Sequence, residues 1–320
     1  MKDRLPIIVT ALVLIVLIAV AGSRFDNFVT LRVFMNLIAD NAFLGVVAVG
    51  LTFVILTGGI DLSVGSMVGL ASILIAKGVG AWGWHPVPVF GLTLGIGALL
   101  GFGQGLLITK KGLPPFLVTL AGLFLCRGLA LNLSKESLQI EHPLFKSLSE
   151  WSLALPGKAS LTIPGIIFIL IVVLLAVVAR QTRYGRTVYA IGGSIGSARL
   201  MGLPVERTLI STYVLSGVCA SLGGILFTLY TSSGNAVSGT GLELDAIAAV
   251  VIGGTLLSGG YGSVLGTLLG ILTIGVVQTA ITFEGTLSSW WTRIVIGLLL
   301  LSFMLVQRGI EVAARRNQVG

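Results

Sequence analysis

Apolar runs long enough to cross a bilayer recur from one end of this 320-residue chain to the other. A membrane-spanning helix needs roughly 20 such residues, because the hydrocarbon core offers no water to satisfy the backbone. Hydrophobic residues make up 55% of the sequence and charged residues only 10%, against about 25% charged residues in soluble domains. The chain therefore lacks the polar surface of a soluble protein, and we expect an all-α fold, a polytopic transmembrane helical bundle.

About ten segments are predicted to form this bundle, as one transmembrane domain over residues 1–320. They cover residues 5–22, 41–57, 64–82, 87–109, 113–132, 161–179, 208–231, 245–258, 263–283 and 291–307. The segment at 245–258 is short for a full crossing. The first segment follows basic residues, as in a signal peptide, but its length and the lack of a convincing cleavage site favour a retained helix.

The basic residues are unevenly distributed between the two sides of the predicted bundle. With ten crossings, the loops on the side of both termini carry most of the 20 Lys and Arg residues. These are Lys2, Arg4, Lys110, Lys111, Arg180, Arg183, Arg186, Arg199, Arg207, Arg308, Arg315 and Arg316. The positive-inside rule assigns that side to the cytoplasm. The net charge of +8 therefore orients the chain in the membrane and requires no nucleic acid as a partner.

Glycine accounts for 44 residues, and part of it is spaced for close helix packing. In two predicted spans a glycine recurs at every fourth position, which lets neighbouring backbones approach closely. These glycines are Gly97, Gly101, Gly105, Gly262, Gly266 and Gly270. Packing inside one bundle is favoured over a dedicated dimer face.

An internal repeat is also indicated. The stretch "TGGIDLSVGSMVGL" from Thr57 is similar to "SGGYGSVLGTLLGI" from Ser258, and each follows an apolar span that opens near an acidic residue, Asp40 or Asp245. Two weakly similar halves with glycine-interrupted helices are typical of transporters, whose sites form where broken helices meet. Chance similarity between two glycine-rich strings is the alternative.

The first of these stretches places a carboxylate, Asp61, between two apolar runs. A charge at membrane depth is costly unless it is paired or hydrated, and Gly58 and Gly59 interrupt the preceding helix. Asp61 either lines a polar path for a solute or caps the helix that begins near Val64. The residues alone favour neither role.

The loop at residues 180–208 has too few apolar residues to span a membrane and too many for a solvated turn. Its core, residues 194–204, is predicted to form a short helix that Ser194 or Ser197 caps and that ends at Gly202. An apolar side exposed on such a helix favours a protein partner. The alternative is a loop folded back on the bundle, with its basic residues on anionic lipid headgroups.

Three other features receive structural interpretations. Arg127, inside a predicted span, is expected to extend towards the outer interface rather than to form an ion pair. Trp290 and Trp291 are expected to anchor the last span at the interface. Residues 232–245 are small and polar, and they form either an extracellular gate or docking loop or an ordinary flexible turn.

The sequence contains no pattern for catalysis, and we expect neither an enzyme site nor a cofactor or metal. No G-x-x-x-x-G-K-[ST] motif is present, so the chain lacks the phosphate-binding loop needed to use ATP itself. His85 and His142 share no metal-ligand spacing with cysteine or acidic residues. Cys126 and Cys219 lie in apolar segments and are interpreted as small packing residues.

Three stretches carry a resemblance to a known family: "NAFLGVVAVGLTFVILTGGIDLSVGS", "RYGRTVYAIGGSIGSARLMGL" and "ELDAIAAVVIGGTLLSGGYGSVLGT". In this order they resemble the permease subunits of bacterial ribose-type sugar ABC importers, and the similarity covers nearly the whole chain. Two further stretches, "TLAGLFLCRGLAL" and "FEGTLSSWWTRIVIG", are most similar to the permease of the galactofuranose importer.

The resemblance implies a transporter subunit of the bacterial inner membrane, with both termini cytoplasmic. Two permease subunits, identical or different, form the pore; separate cytoplasmic ATP-binding subunits drive alternating access, and a periplasmic sugar-binding protein delivers the sugar. The family's ATPase-docking segment corresponds to part of a coupling loop at about 180–207. The matching residues are Arg183, Tyr184, Gly185, Ser197, Ala198, Arg199, Leu200, Met201 and Gly202.

A sugar path needs hydrogen-bonding groups that hold the solute only weakly. The candidates for such a path are Asn41, Thr52, Thr57, Asp61, Ser63 and Asp245. Two alternatives stay open: the same permease role for another sugar such as ribose, and an ion-coupled secondary transporter in which Asp61 and Asp245 serve as coupling sites.

Overall fold

The computed structural model describes residues 5–288 and 290–319, with side chains described for residues 7–288 and 290–305. Five basic residues of the predicted charge pattern lie outside the described side chains: Lys2, Arg4, Arg308, Arg315 and Arg316. Within the described residues the chain is almost entirely helical, as expected for a polytopic membrane bundle.

The helices follow one another along the chain with short connections. They are α1 (Leu5–Arg24), α2 (Leu31–Asp40), α3 (Ala42–Leu56), α4 (Val64–Ile75), α5 (Pro86–Lys111), α6 (Pro115–Leu133), α7 (Pro143–Glu150), α8 (Ile163–Gln181), α9 (Arg183–Gly193), α10 (Ile195–Leu200), α11 (Val205–Thr231), α12 (Leu242–Ile252), α13 (Val264–Glu284) and α14 (Trp290–Val319). A π-helical turn, Ala76–Ala81, extends α4.

Four short strands pair outside the bundle. They are β1 (Leu138–Gln139), β2 (Ser152–Leu155), β3 (Ala159–Thr162) and β4 (Ser233–Gly234). β2 and β3 form an antiparallel hairpin, with Ser152 opposite Thr162. β1 pairs with β4, which joins two connections distant in sequence.

Each of the ten predicted segments contains a helix, so the prediction of a polytopic helical bundle is confirmed. Among the described residues, seven helices are long and apolar enough to cross a membrane, or eight if α2 and α3, which meet at a 60° bend, form one span. The short segment predicted at 245–258 is α12, which has 11 residues. The prediction missed α2, α7 and α9, which are amphipathic or short.

α3 lies at the centre of the bundle, and all but one of its residues are buried. A helix that is apolar on every side has no face for water and is stable only when it is surrounded. α11 packs against α3, α4 and α5. The glycine spacing explains the close fit: a Cβ on Gly101 would clash with the backbone of Tyr213, and one on Gly270 would clash with that of Ala249. Packing within one bundle is therefore confirmed for both glycine runs.

α1 is part of the same bundle and packs along α13. The Thr10 hydroxyl donates to the carbonyl of Ile252 at 2.6 Å, which ties α1 to the end of α12. Arg24 and Glu284 form an ion pair of 2.9 Å at the other end of the α1–α13 contact. These contacts support the interpretation of the first segment as an integral helix.

The internal repeat has a structural counterpart. α3 and α12 both end in a glycine-rich break, and the following helices α4 and α13 begin directly after Ser63 and Ser263. The two breaks meet, because the Gly260 amide donates to the Leu56 carbonyl at 2.8 Å. We call the side of the bundle that carries these breaks together with α9 and α10 the coupling face, and the side that carries α7 and the strand pairs the opposite face.

Candidate translocation path and coupling surface

Two cavities lined by polar side chains flank the second half of α13. The larger, of about 580 Å³, is lined by Asp245, Gln278, Ile281, Thr282, Gly285, Leu287, Thr292, Arg293 and Ile296. The smaller, of about 410 Å³, is lined by Val33, Asn36, Leu37, Asp40, Asn41, Phe43, Tyr230, Gln278, Thr279, Thr282 and Phe283. Gln278 and Thr282 line both, so a pair of polar side chains one helical turn apart stands between the two cavities.

The interrupted helices place an acidic residue in each cavity. Asp40 ends α2 immediately before α3, and Asp245 lies in the first turn of α12. The two carboxylates thus lie at corresponding positions in the two halves of the bundle, one on each side of Gln278. Arg293 lines the larger cavity as well, and it brings a positive charge near Asp245. This arrangement offers donors and acceptors to a polar solute in an otherwise apolar bundle.

Of the six predicted path residues, the structure places Asn41 and Asp245 in the cavities. Thr52 is buried between helices, with its hydroxyl 2.8 Å from that of Thr267 on α13. Thr57 lies at the first break and donates to the carbonyl of Val54. A contact between solute and these two threonines stays a prediction, and in this conformation both belong to the packing of the bundle.

Asp61 is 1% exposed and forms the centre of a hydrogen-bonded network. Its Oδ1 accepts from the Ser63 amide at 3.0 Å and from the Ser63 hydroxyl at 2.6 Å, and its Oδ2 accepts from Ser216 of α11 at 2.7 Å. Gln104 of α5 donates to the Ser63 hydroxyl at 2.9 Å. The carboxylate therefore shapes the turn into α4 and ties the first break to α11 and α5, and the path role of Asp61 and Ser63 stays a prediction.

Arg127 is partly buried and bonds to backbone, and its extension towards the outer interface stays a prediction. Its Nη1 donates to the carbonyls of Ala236 and Ser238, at 3.1 Å for the latter. No local pattern predicts this contact, because the acceptors are backbone groups more than 100 positions away. Arg127 thus holds a partly exposed stretch of non-helical backbone against the bundle.

That stretch is residues 235–241, which we call the connecting segment. It packs against one side of α4, where the small residues Ser72, Gly69 and Gly65 leave room for its turns. Ser72 donates to the Asn235 carbonyl at 3.0 Å, and a Cβ on Gly69 would lie 2.7 Å from the Ser238 carbonyl oxygen. The segment leads directly into α12 and so sets the position of Asp245. Residues 232–245 therefore pack in part against the bundle, and the choice between a gate or docking loop and an ordinary flexible turn stays open.

The predicted short helix on the coupling face is confirmed. α10 spans Ile195–Leu200, the Ser194 hydroxyl accepts from the Ser197 amide at 3.2 Å as its cap, and Gly202 adopts a left-handed conformation at φ 71°. Leu200 is 91% exposed and Met201 65% exposed, so the tip of the helix presents apolar side chains that the described residues leave largely uncovered.

The other predicted coupling residues divide into exposed and packed groups. Arg183, Ser197, Arg199 and Gly202 are exposed, whereas Gly185 and Ala198 are buried. Ala198 packs in a small apolar cluster with Ile191 and Val205, which holds α10 against α9 and α11. The loop is thus folded back on the bundle at its base and free at its tip, which combines the two alternatives drawn from the sequence.

Two histidines that the sequence left unrelated come together on the opposite face. The rings of His85 and His142 lie edge to face with centroids 5.9 Å apart. Each Nδ1 accepts a backbone amide at a helix start, from Val87 and Leu144 respectively. The described residues contain no group of three or more potential metal-binding side chains. Cys126 and Cys219 are free and buried, as expected for packing residues.

A helical membrane bundle with two interrupted helices, polar cavities beside them and an exposed helix on one face is the architecture of a transport permease. The chain belongs to the family described as "Branched-chain amino acid transport system / permease component", whose sequence profile matches residues 33–304.

Similar proteins match most of the chain. It is 47% identical to the inner membrane ABC transporter permease protein YjfF of Escherichia coli K12, over 99% of the chain and 96% of that protein. It is 37% identical to the fructose import permease FruG of Bifidobacterium longum, over 97% and 92%. It is 38% identical to the ribose import permease RbsC of Bacillus subtilis, over 86% and 84%. No solved structure matches the chain.

The resemblance to permease subunits of ribose-type sugar ABC importers is thereby confirmed. The chain is a transporter subunit of the inner membrane rather than an enzyme.

Proposed function

We propose that this chain is the membrane-spanning subunit of an ATP-driven importer of a neutral sugar, with galactofuranose as the first candidate. The observation that carries the proposal is the pair of polar cavities on either side of Gln278 and Thr282. A neutral sugar presents many hydroxyl groups, which need both donors and acceptors. Amide, hydroxyl and carboxylate groups together supply both, and their partial exposure keeps binding weak enough for release.

Galactofuranose is favoured because part of the stretch that resembles the galactofuranose permease lines the larger cavity. Thr292 and Arg293 belong to the stretch "FEGTLSSWWTRIVIG", and both line the larger cavity. Ribose and fructose, which relatives of this chain are named for, are the competing substrates. Uptake of labelled galactofuranose by the complete transporter should saturate at a lower concentration than uptake of either competitor. Preferred uptake of ribose or fructose would transfer the proposal to that sugar.

The path is tested by removing the two side chains shared by the cavities. Gln278→Leu and Thr282→Val should each reduce sugar uptake while the complex still assembles, because the solute loses hydrogen-bonding groups along its route. Thr93→Val is the matched control for Thr282→Val, because Thr93 is buried and lines neither cavity. Equal loss of uptake in the control, or none in the Gln278 and Thr282 variants, would contradict the assignment.

On the coupling face, α10 is proposed to dock onto separate cytoplasmic ATP-binding subunits. The support is the exposed apolar tip formed by Leu200 and Met201, together with a groove of about 550 Å³ between α9 and the start of α11 that Arg183 and Arg186 line. On this proposal the coupling face and both termini are cytoplasmic. A second permease subunit and a periplasmic sugar-binding protein complete the transporter.

Docking is tested by replacing Leu200 and Met201 with Asp, which should abolish co-purification of the ATP-binding subunits and leave membrane insertion intact. Leu153→Asp, on the opposite-face hairpin, is the control and should leave co-purification unchanged. Single cysteines at Leu200 and Leu153 test the orientation: a membrane-impermeant thiol reagent added outside cells should label only the latter. Normal co-purification with the double Asp variant would refute the docking site.

A further inference from the structure

α9 lies between the exposed helix α10 and the two interrupted helices, and it touches both halves of the repeat. Its Tyr184 ring stacks on Phe53 of α3, with centroids 6.1 Å apart. Its Tyr189 hydroxyl donates to the carbonyl of Gly262, in the break before α13, at 2.9 Å. Burial raises the pKa of Tyr189, with nearby Arg180 acting in the opposite direction, so the phenol keeps the proton that it donates.

The end of α9 lies where the two breaks are bonded to each other. The Gly260 amide donates to the Leu56 carbonyl at 2.8 Å. A Cβ on Gly192 would clash with both of these groups, the Leu56 oxygen and the Gly260 nitrogen. From the other side, a Cβ on Gly260 would lie 2.8 Å from the Gly193 amide nitrogen. Three backbones therefore meet in direct contact, with no side chain between them.

Such a contact transmits displacement with little loss, because close-packed backbone has no rotamers through which to absorb it. A shift of α9 acts on the end of α3 and on the break before α13 at the same point. The neighbouring glycine offers a natural contrast: a Cβ on Gly193 would meet nothing within 4 Å. The close fit is thus specific to Gly192 and is not a general property of this glycine pair.

We propose that Gly192 and Tyr189 are positioning residues that transmit the movement of α10 to both interrupted helices at once. This inference rests on the proposed function, because it takes α10 as the point where the ATP-binding subunits act. In this arrangement one motion on the coupling face changes the angle of α3 and α12 together, and with them the two polar cavities beside α13. Neither residue lines the two polar cavities or the groove between α9 and α11.

The test is Gly192→Ala in the complete transporter, reconstituted with its ATP-binding subunits, with Gly193→Ala as the matched control. Both substitutions replace one helical glycine by alanine, so they change backbone flexibility alike and differ only in the contact. We expect Gly192→Ala to keep co-purification and ATP hydrolysis while sugar moved per ATP hydrolysed falls by about 5- to 150-fold, the usual range of a coupling free energy. Gly193→Ala should leave this ratio unchanged.

Tyr189→Phe provides a second, milder variant that adds no atoms and removes only the hydrogen bond to Gly262. It should lower the sugar moved per ATP hydrolysed by less than Gly192→Ala does. If Gly192→Ala does not accumulate in the membrane, Tyr189→Phe alone tests the inference. An unchanged ratio in Tyr189→Phe and in any folded Gly192→Ala protein would overturn the inference. Failure of the unaltered chain to co-purify with the ATP-binding subunits would instead overturn the proposed function, so the two failures are distinguishable.

Discussion

The two helix breaks, one after α3 and one after α12, are stabilised by different kinds of groups. The first break, residues 57–63, is held by a side chain, because Asp61 accepts hydrogen bonds from Ser63 and from Ser216 of α11. The second break, residues 253–263, is held mainly by backbone: the Leu256 amide donates to the Tyr261 carbonyl at 3.0 Å, and four of its glycines have positive φ angles. Similar shapes in the two halves thus do not require similar residues.

The difference predicts how each half fails. The first break depends on a buried acceptor whose loss leaves several donors without a partner. The second depends on the absence of side chains, so added atoms should be more harmful there than lost polar groups. Substitutions that remove polar groups should therefore affect the first break most, and substitutions that add atoms should affect the second.

The largest effect is expected for Asp61→Leu. Ser63 and Ser216 would keep buried donors without an acceptor, which should lower the free energy of unfolding by on the order of 3–5 kcal/mol. Asp61→Asn keeps one acceptor oxygen and should cost about 1 kcal/mol. Thermal denaturation of the detergent-solubilised protein measures both, and equal stability of the Leu and Asn variants would show that the network does not hold the first break.

In the second half, Gly253→Ala should be the most harmful small change. A Cβ there would lie 2.7 Å from the Thr267 amide nitrogen and would force α12 away from α13. Overpacking of this kind costs about 1–3 kcal/mol, so we expect a clear fall in melting temperature and in sugar uptake. Gly103→Ala is the control, because its Cβ would meet nothing within 4 Å. A fall of similar size in the control would show that replacing a glycine by alanine, rather than this contact, is the cause.

The next largest effect is expected for Arg127→Gln, which acts on the connecting segment that leads into the second half. Loss of charge-assisted bonds to two carbonyls should destabilise the protein by about 2 kcal/mol and displace Asp245, so sugar uptake should fall. Gly69→Ala presses on the same segment from the other side and should have the same phenotype. Gly128→Ala, beside Arg127 in open space, should behave as wild type. Normal sugar uptake by both Arg127→Gln and Gly69→Ala would show that the position of this segment does not affect transport.

The smallest effect is expected for Gln104→Leu, at the edge of the first network. The change removes a hydrogen bond to Ser63 but also removes a buried carbonyl oxygen that has no partner among the described residues. The two terms oppose each other, and the stability should change by less than about 1 kcal/mol. A loss as large as that of Asp61→Leu would show that Gln104, and not Asp61, organises the first break.

The sequence was sufficient for features that depend on local pattern. Hydropathy located ten of the fourteen helices of the described residues, Ser194 and Gly202 marked the ends of α10, and the glycine spacing predicted close packing. It was insufficient where backbone groups distant in sequence meet. The acceptors of Arg127, the contact of Gly192 with both breaks and the cavities around Gln278 depend on how the helices are arranged, and Gln278 carries no local signal that separates it from other polar residues in a helix.

The central claim is that this chain forms a passive path moved from its coupling face by ATP-binding subunits. The most direct measurement is sugar accumulation in proteoliposomes that contain the chain with and without those subunits. We predict accumulation only when the subunits, the sugar-binding protein and ATP are all present, and none with a proton or sodium gradient alone. Accumulation driven by such a gradient in vesicles that lack the ATP-binding subunits would contradict the account.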